Sequence, residues 1–242
     1  MQPGTLAGGG YGNPVRPVGL ICLMFRPSDD ATQYAFLVPS NLFAVVSPRQ
    51  LAALWAALRL DAAFAAECTA LAQEVEAAAR RYAQAEHLAH GRIYAYEVDG
   101  YGNQLFMDDA NVPSLLALPY LGALPAADPA YQATRRFVLG PDNPYFYCGT
   151  AAEGIGGPHV GPGQIWPLGL IMRALTSADS AEIGQCLAWL RASHAGTGFM
   201  HESFDQDNPH KFSRKWFAWA NTLFGELMLK IHAEQPRLLR AG

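Results

Sequence analysis

Two stretches of this chain put carboxylates in company suited to acid–base work. The first is Arg26-Pro27-Ser28-Asp29-Asp30, where adjacent carboxylates repel one another and Arg26 stands close by. In such a pair one carboxyl can hold its proton while the other stays ionised. The second is Met200-His201-Glu202-Ser203-Phe204-Asp205-Gln206-Asp207, a glutamate between an imidazole and a hydroxyl with aromatic residues at 199 and 204. A general base needs hydrogen-bonding neighbours of that kind to hold it in place. Two carboxyl groups carried on separate loops are also what glycoside hydrolysis requires, one to protonate the leaving oxygen and one to activate water. Plainer readings stand beside these: Ser-Asp-Asp is common in turns and helix caps, and the second segment also reads as a solvated loop.

Other clusters are weaker. Met107-Asp108-Asp109-Ala110-Asn111 suits hydrogen bonding to hydroxyl groups, and equally suits capping ahead of Pro113. Gly154-Ile155-Gly156-Gly157-Pro158-His159 looks superficially like a phosphate loop but lacks the Lys-Ser/Thr ending and a preceding strand. His159 offers a hydrogen bond and Trp166 a stacking face, although either alone is more often structural. His87, His90 and His194 read as surface residues on or near helices. There is no HExxH pattern, so neither a protein-bound metal nor any other cofactor is expected. Cys22, Cys68, Cys148 and Cys186 are widely spaced and read as small buried hydrophobes.

The elements that must position these residues are mostly helical. Ser47-Pro48 predicts a helix start, with Leu51, Leu54, Trp55 and Leu58 on one stripe. Asp61 predicts the cap of a long alanine-rich helix running to about His90. Residues 92–107 alternate around Asp99-Gly100 and predict a small β-hairpin. Further helices are expected at Pro113–Leu118, from Asp128-Pro129 to Gly140, near Trp166–Leu175, over about 179–194 and over about 213–234. The sum is an all-α chain of roughly seven helices with one hairpin as decoration. Its long aromatic-rich loops are of the kind that carry function.

Bulk properties narrow the classes. Half of the 242 residues are hydrophobic, 16% are charged and the formal net charge is −4. That describes an ordered globular body without the basic runs that nucleic acid or an anionic membrane surface would need. No apolar run reaches membrane-spanning length, so a soluble chain is expected. The segment 1–13 lacks the apolar stretch of a signal peptide. The compartment stays open, because the native N-terminus need not be the one given.

Taken in order, several segments resemble glycoside hydrolase family 125, the exo-α-1,6-mannosidases. They are Phe25-Arg26-Pro27-Ser28-Asp29-Asp30-Ala31-Thr32, Pro39-Ser40-Asn41, Met107-Asp108-Asp109-Ala110-Asn111-Val112-Pro113-Ser114-Leu115-Leu116 and Gly154-Ile155-Gly156-Gly157-Pro158-His159. Trp166-Pro167, Met200-His201-Glu202-Ser203-Phe204 and Trp216-Phe217-Ala218-Trp219-Ala220-Asn221 complete the set. The resemblance implies an (α/α)6 barrel and metal-free hydrolysis with inversion of a terminal mannose on a mannose-containing oligosaccharide. It implies a general acid at Asp29 or Asp30, with Asp29 preferred, and a general base at Glu202. Arg26, Asp108, Asp109, Asn111, His159, Trp166 and His201 fall in matching motifs and are assigned to the sugar pocket. Members of that family are about twice this long, because six helical hairpins need about twelve helices. Residues 1–242 are therefore expected to form a single incomplete catalytic domain lacking the N-terminal part of the barrel, and that missing part is the expected partner.

Overall fold

The computed structural model describes residues 4–240 of the chain. Its six α-helices are α1 (Val38–Ala57), α2 (Ala62–Tyr82), α3 (Pro129–Val138), α4 (Pro167–Leu175), α5 (Ser180–Ser193) and α6 (Ala218–Glu234). Ten short strands are interspersed: β1 (Phe36–Leu37), β2 (Gln84–His87), β3 (Gly91–Tyr94), β4 (Glu97–Val98), β5 (Gln104–Leu105), β6 (Phe146–Cys148), β7 (Glu153–Ile155), β8 (Gln164–Ile165), β9 (Ser203–Asp205) and β10 (Phe212–Ser213). The chain is mostly helical, as expected, but the single decorative hairpin is replaced by four small sheets. Residue contacts gather it into two compact units, one running to Met107 and resuming at Pro113–Phe137, the other comprising Asp108–Val112 and everything from Val138 onward.

In the first unit α1 and α2 form a helical hairpin across the four residues Leu58–Asp61. Leu42 and Val45 of α1 are buried, and Cys68, Ala72, Val75, Ala78 and Ala79 of α2 supply a narrow face that lets the helices approach closely. The expected helix start at Ser47-Pro48 falls inside α1, which begins ten residues earlier with Pro39 in its first turn. A proline there loses nothing, since first-turn N–H groups have no helical partner. Pro48 removes one interior bond, and packing against α2 carries the helix through. Asp61 caps α2 as predicted, accepting from Ala63 N–H at 2.8 Å. That helix stops at Tyr82 rather than near His90, because Gln84–His87 pairs with Gly91–Tyr94 as a hairpin. The predicted hairpin around Asp99 is β4–β5, and β1 joins its other edge in the order β1-β4-β5. Asp99 sits at the tip and accepts from the Asn103 side chain (2.6 Å), Tyr101 N–H (2.8 Å) and Asn103 N–H (3.1 Å). Burial alone would raise its pKa; these hydrogen bonds outweigh burial and hold it below the usual aspartate value. The helix expected at Pro113–Leu118 is a run of turns. His87 and His90 are half-buried against Phe137 rather than on the surface.

In the second unit α4 is buried along nearly its whole length, and α5 and α6 pack against it. Asp179 caps α5 through Ala181 N–H at 2.9 Å. The last helix begins at Ala218, later than expected, because Phe212–Ser213 pairs with β9. Sheet order β10-β9-β8 sets Ser213 opposite Ser203 and Gln164 opposite Asp205. Cys68 and Cys186 are buried as expected, whereas Cys22 and Cys148 are exposed. Large apolar side chains stand exposed in both units, among them Leu54, Leu58 and Leu60 in the first and Trp216, Trp219 and Leu229 in the second. No helix among the described residues is long and apolar enough to cross a membrane.

Candidate active site

The segment carrying Asp29 and Asp30 is a tight hairpin loop. Phe25 and Ala31 pair across it, Arg26 N–H donates to Asp30 O at 2.8 Å, and Asp29 N–H donates to Arg26 O at 3.0 Å. Three residues are thus enclosed, with proline first and a left-handed residue last, the geometry of a turn followed by a bulge. Glycine usually occupies that last place; here Asp29 does, at φ +65°. A left-handed non-glycine costs on the order of 1 kcal/mol or more and persists only where its surroundings insist on it.

A buried ion pair supplies the insistence. Arg26 Nε lies 2.6 Å from Glu97 Oε1, with both side chains almost fully sheltered. Glu97 Oε2 also accepts from Gln33 N–H (2.8 Å) and Tyr34 N–H (2.9 Å), and the guanidinium lies over the Tyr96 ring at 5.4 Å. Glu97 thereby grips both arms of the loop. Asp30 is buried, with Ser28 Oγ donating to its Oδ2 at 3.2 Å, while Asp29 faces outward. Asn41 of α1 anchors the approach to the loop: it accepts from Ile21 N–H (2.7 Å) and donates to Ile21 O (3.0 Å) and Leu37 O (2.9 Å).

Glu202 belongs to the second unit and is buried just ahead of β9. Ser213 Oγ donates to its Oε2 at 2.9 Å, and Arg214 Nε lies 3.3 Å from Oε1. Arg214 is largely exposed, has a left-handed φ of 41°, and sets its guanidinium 5.7 Å over Phe217. His201 is buried and stacked on Phe212, centroids 3.8 Å apart. Its Nδ1 lies 2.8 Å from Lys215 O, to which it donates, since a carbonyl oxygen can only accept. Its Nε2 has no hydrogen-bond partner among the described residues. Asn221 of α6 pins the residue before it, accepting from Met200 N–H (3.1 Å) and donating to Met200 O and Phe217 O (2.8 Å each).

The remaining predicted residues share this unit. Asp109 Oδ1 accepts from the backbone N–H and side-chain amide of Asn111, each at 2.9 Å, and all three of Asp108, Asp109 and Asn111 are buried. The glycine run packs directly on them. A Cβ at Gly157 would lie 3.1 Å from Asp109 Oδ2, and one at Gly156 would lie 2.1 Å from Gln164 O. These glycines serve close backbone approach and not phosphate binding. Trp166 is buried edge-on to Phe217 (5.9 Å) and to the exposed His159 (6.3 Å). Trp166 Nε1 and Asn111 Oδ1, like His201 Nε2, are buried without a hydrogen-bond partner among the described residues. Three buried polar atoms left open in this way are suited to a ligand rich in hydroxyls, which can donate and accept.

Sequence reasoning missed Glu97, Ser213, Arg214 and Gln164. Only Glu97 carried a signal, a carboxylate inside the otherwise apolar alternation Tyr94–Val98. A cavity of ≈ 690 Å³ lies along α5 and α6 with a mainly apolar lining. It reaches the acidic motif only at Met200. No group of three or more metal-ligating side chains occurs among the described residues.

Comparison with known proteins agrees over nearly the full length. Residues 1–229 match a family described as metal-independent α-mannosidase, glycoside hydrolase family 125. The meiotically up-regulated gene 157 protein of Schizosaccharomyces pombe is 44% identical over 238 residues, which is 98% of this chain and 47% of that protein. A solved metal-independent α-mannosidase of Streptococcus pneumoniae, in a non-productive complex with α-1,6-mannobiose, is 44% identical with a TM-score of 0.93. That superposition covers 97% of this chain and 56% of the solved one, so the chain spans about half the length of the relatives it matches.

Proposed function

Since the chain belongs to the metal-independent α-mannosidases of glycoside hydrolase family 125, we propose that it carries the catalytic carboxylates of an exo-acting α-1,6-mannosidase that inverts configuration. Asp29 protonates the glycosidic oxygen as the bond to the anomeric carbon breaks. Glu202 takes a proton from the water that attacks the opposite face of the sugar. The observation that carries this reading is Glu202, a buried carboxylate held on one oxygen by Ser213 and on the other by Arg214, in a chain of this family.

Between the adjacent aspartates, exposure favours Asp29 as the acid. Asp30 is buried against Ser28, whereas Asp29 is presented outward at a strained tip. Asn111, Trp166 and His201 bind mannose hydroxyls through their open buried atoms. Asp108 and Asp109 frame that pocket, His159 flanks Trp166, and Arg26 holds the acid loop from behind. In this reading the chain is one incomplete (α/α)6 domain, residues 1–242, completed by further helices.

The test is hydrolysis of α-1,6-mannobiose followed by proton NMR, with β-mannose expected as the first product. Appearance of α-mannose first would overturn the inverting assignment. A second reading, a half-barrel that needs its complement, is favoured by the chain's spanning about half of its relatives. Activity appearing only when the chain is mixed with the N-terminal half of a full-length family member would establish it.

A further inference from the structure

Behind Glu202 lies a row of polar side chains on one face of the β10-β9-β8 sheet. Ser213 Oγ donates to Glu202 Oε2 at 2.9 Å and lies 2.8 Å from Ser203 Oγ. Ser203 Oγ lies 3.3 Å from Gln164 Oε1. Sheet register makes the row: Ser203 and Ser213 are direct cross-strand partners, and Gln164 faces Asp205, two residues along on the same face as Ser203. Each hydroxyl has a single proton to give. An ionised carboxylate can only accept. Ser213 must therefore spend its proton on Glu202, and Ser203 must spend its own on Ser213. Ser203 is left as an acceptor toward Gln164, so the row requires the Gln164 amide to turn Nε2 rather than Oε1 toward it, two ends that only the hydrogen-bond network distinguishes.

The two carboxylate oxygens are thus unequal. Oε2 is bound by a short chain of neutral donors rooted in the sheet. Among the described residues Oε1 has only the 3.3 Å contact to Arg214, an exposed side chain. We propose that Ser213, backed by Ser203 and Gln164, is a positioning residue that fixes Oε2 as a permanent acceptor and leaves Oε1 as the oxygen that takes the proton from water. This rests on the assignment of Glu202 as the base. In the step, the water O–H bond breaks and its proton goes to Oε1, while the water oxygen joins the anomeric carbon as that carbon's bond to the glycosidic oxygen breaks and the leaving oxygen takes its proton from Asp29. The hydroxyl chain keeps its direction and carries no proton onward.

The experiment has two arms. In the first, ¹H–¹⁵N spectra of the chain itself read the Gln164 side-chain amide, with no need for turnover. The proposal expects one slowly exchanging, downfield amide proton, lost in both Ser203→Ala and Ser213→Ala. An amide proton exchanging freely in the parent chain overturns the row. In the second, kinetics on α-1,6-mannobiose compare Ser213→Ala, Ser213→Thr and Gln164→Glu. Loss of one hydrogen bond to a charged group predicts a fall in kcat of about 10- to 100-fold in Ser213→Ala with KM little changed. Ser213→Thr keeps the hydroxyl and should recover most of it. Gln164→Glu cannot donate and should fall below the parent; parent-like turnover there would show that Ser203 points the other way. If Glu202→Gln retains turnover, the base assignment fails while the spectroscopic arm still reports on the row.

Discussion

The two acidic segments are tethered by the same device and then diverge. An asparagine in the first helical turn, Asn41 in α1 and Asn221 in α6, bonds the carbonyl four residues back. Each also clasps both backbone groups of one extended residue, Ile21 or Met200. From Met200 only His201 intervenes before Glu202, whose carboxylate is then fixed from the sheet. From Ile21 the chain runs eight residues to Asp29, through a loop held by the Arg26–Glu97 pair with its tip in a strained conformation. The difference suits the two jobs proposed for Glu202 and Asp29. A base that aligns one water benefits from a fixed carboxylate. An acid that follows a departing oxygen is better placed at a tip, provided the loop's root is rigid.

Several measurements can break or sharpen that contrast. The largest effect is expected for Glu202→Gln, a loss of turnover on the order of 10²–10⁴-fold with thermal stability nearly unchanged, read by mannobiose hydrolysis. Asp29→Asn should fall within the same range on mannobiose and recover on an aryl mannoside whose leaving group needs no proton. Should Asp30→Asn show that recovery instead, the assignment within the pair reverses. Glu97→Gln removes the carboxylate from the buried Arg26–Glu97 ion pair and should destabilise the fold by up to about 3–5 kcal/mol in denaturant unfolding, loosening the loop that carries Asp29 with it. The clasps separate next. Asn221→Ala and Asn41→Ala should each cost about 1–3 kcal/mol for the backbone groups left unpaired, but only Asn221→Ala, next to the fixed carboxylate, should also lower kcat severalfold.

The smallest effect concerns Asp99, at the tip of the hairpin that carries Glu97. Its folded pKa is lowered, so its contribution is fully present above the unfolded value of about 3.9 and is lost as pH falls through the folded value. Asn103→Ala should flatten the stability–pH curve in that acidic window by about 1 kcal/mol, the worth of one of the three hydrogen bonds that hold the carboxylate. A curve unchanged from the parent would remove Asp99 from the loop's support.

How much of this was legible beforehand depended on whether the signal was local. Asp61 and Asp179 advertise their helices because a cap is written within three residues of the turn it serves. Ser47-Pro48 carries the same local signature and misleads, since the packing that continues α1 past it comes from α2, which lies beyond Asp61. The tail of α2 and the head of α6 look helical in sequence because nothing nearby reveals that Gln84–His87 and Phe212–Ser213 have strand partners. The acidic motifs stood out through residue type and order. Their supports did not: Arg26 and Glu97 are 71 positions apart, and Ser203 and Gln164 are 39 apart. An ordinary serine or glutamine declares no role until the sheet brings it alongside.

The pairing of β9 with β10 has one more consequence, for how this sequence tolerates change in length. Side chains alternate faces along a strand, so a shift of one residue in register would turn Ser213 to the far side of the sheet from Ser203. The six residues Gln206–Lys211 that connect the strands therefore act as a measured spacer. Surface loops usually absorb a one-residue insertion or deletion quietly. An indel here would disconnect the glutamate while leaving every residue of its motif in place, a lesion that inspection of the motif alone would not detect.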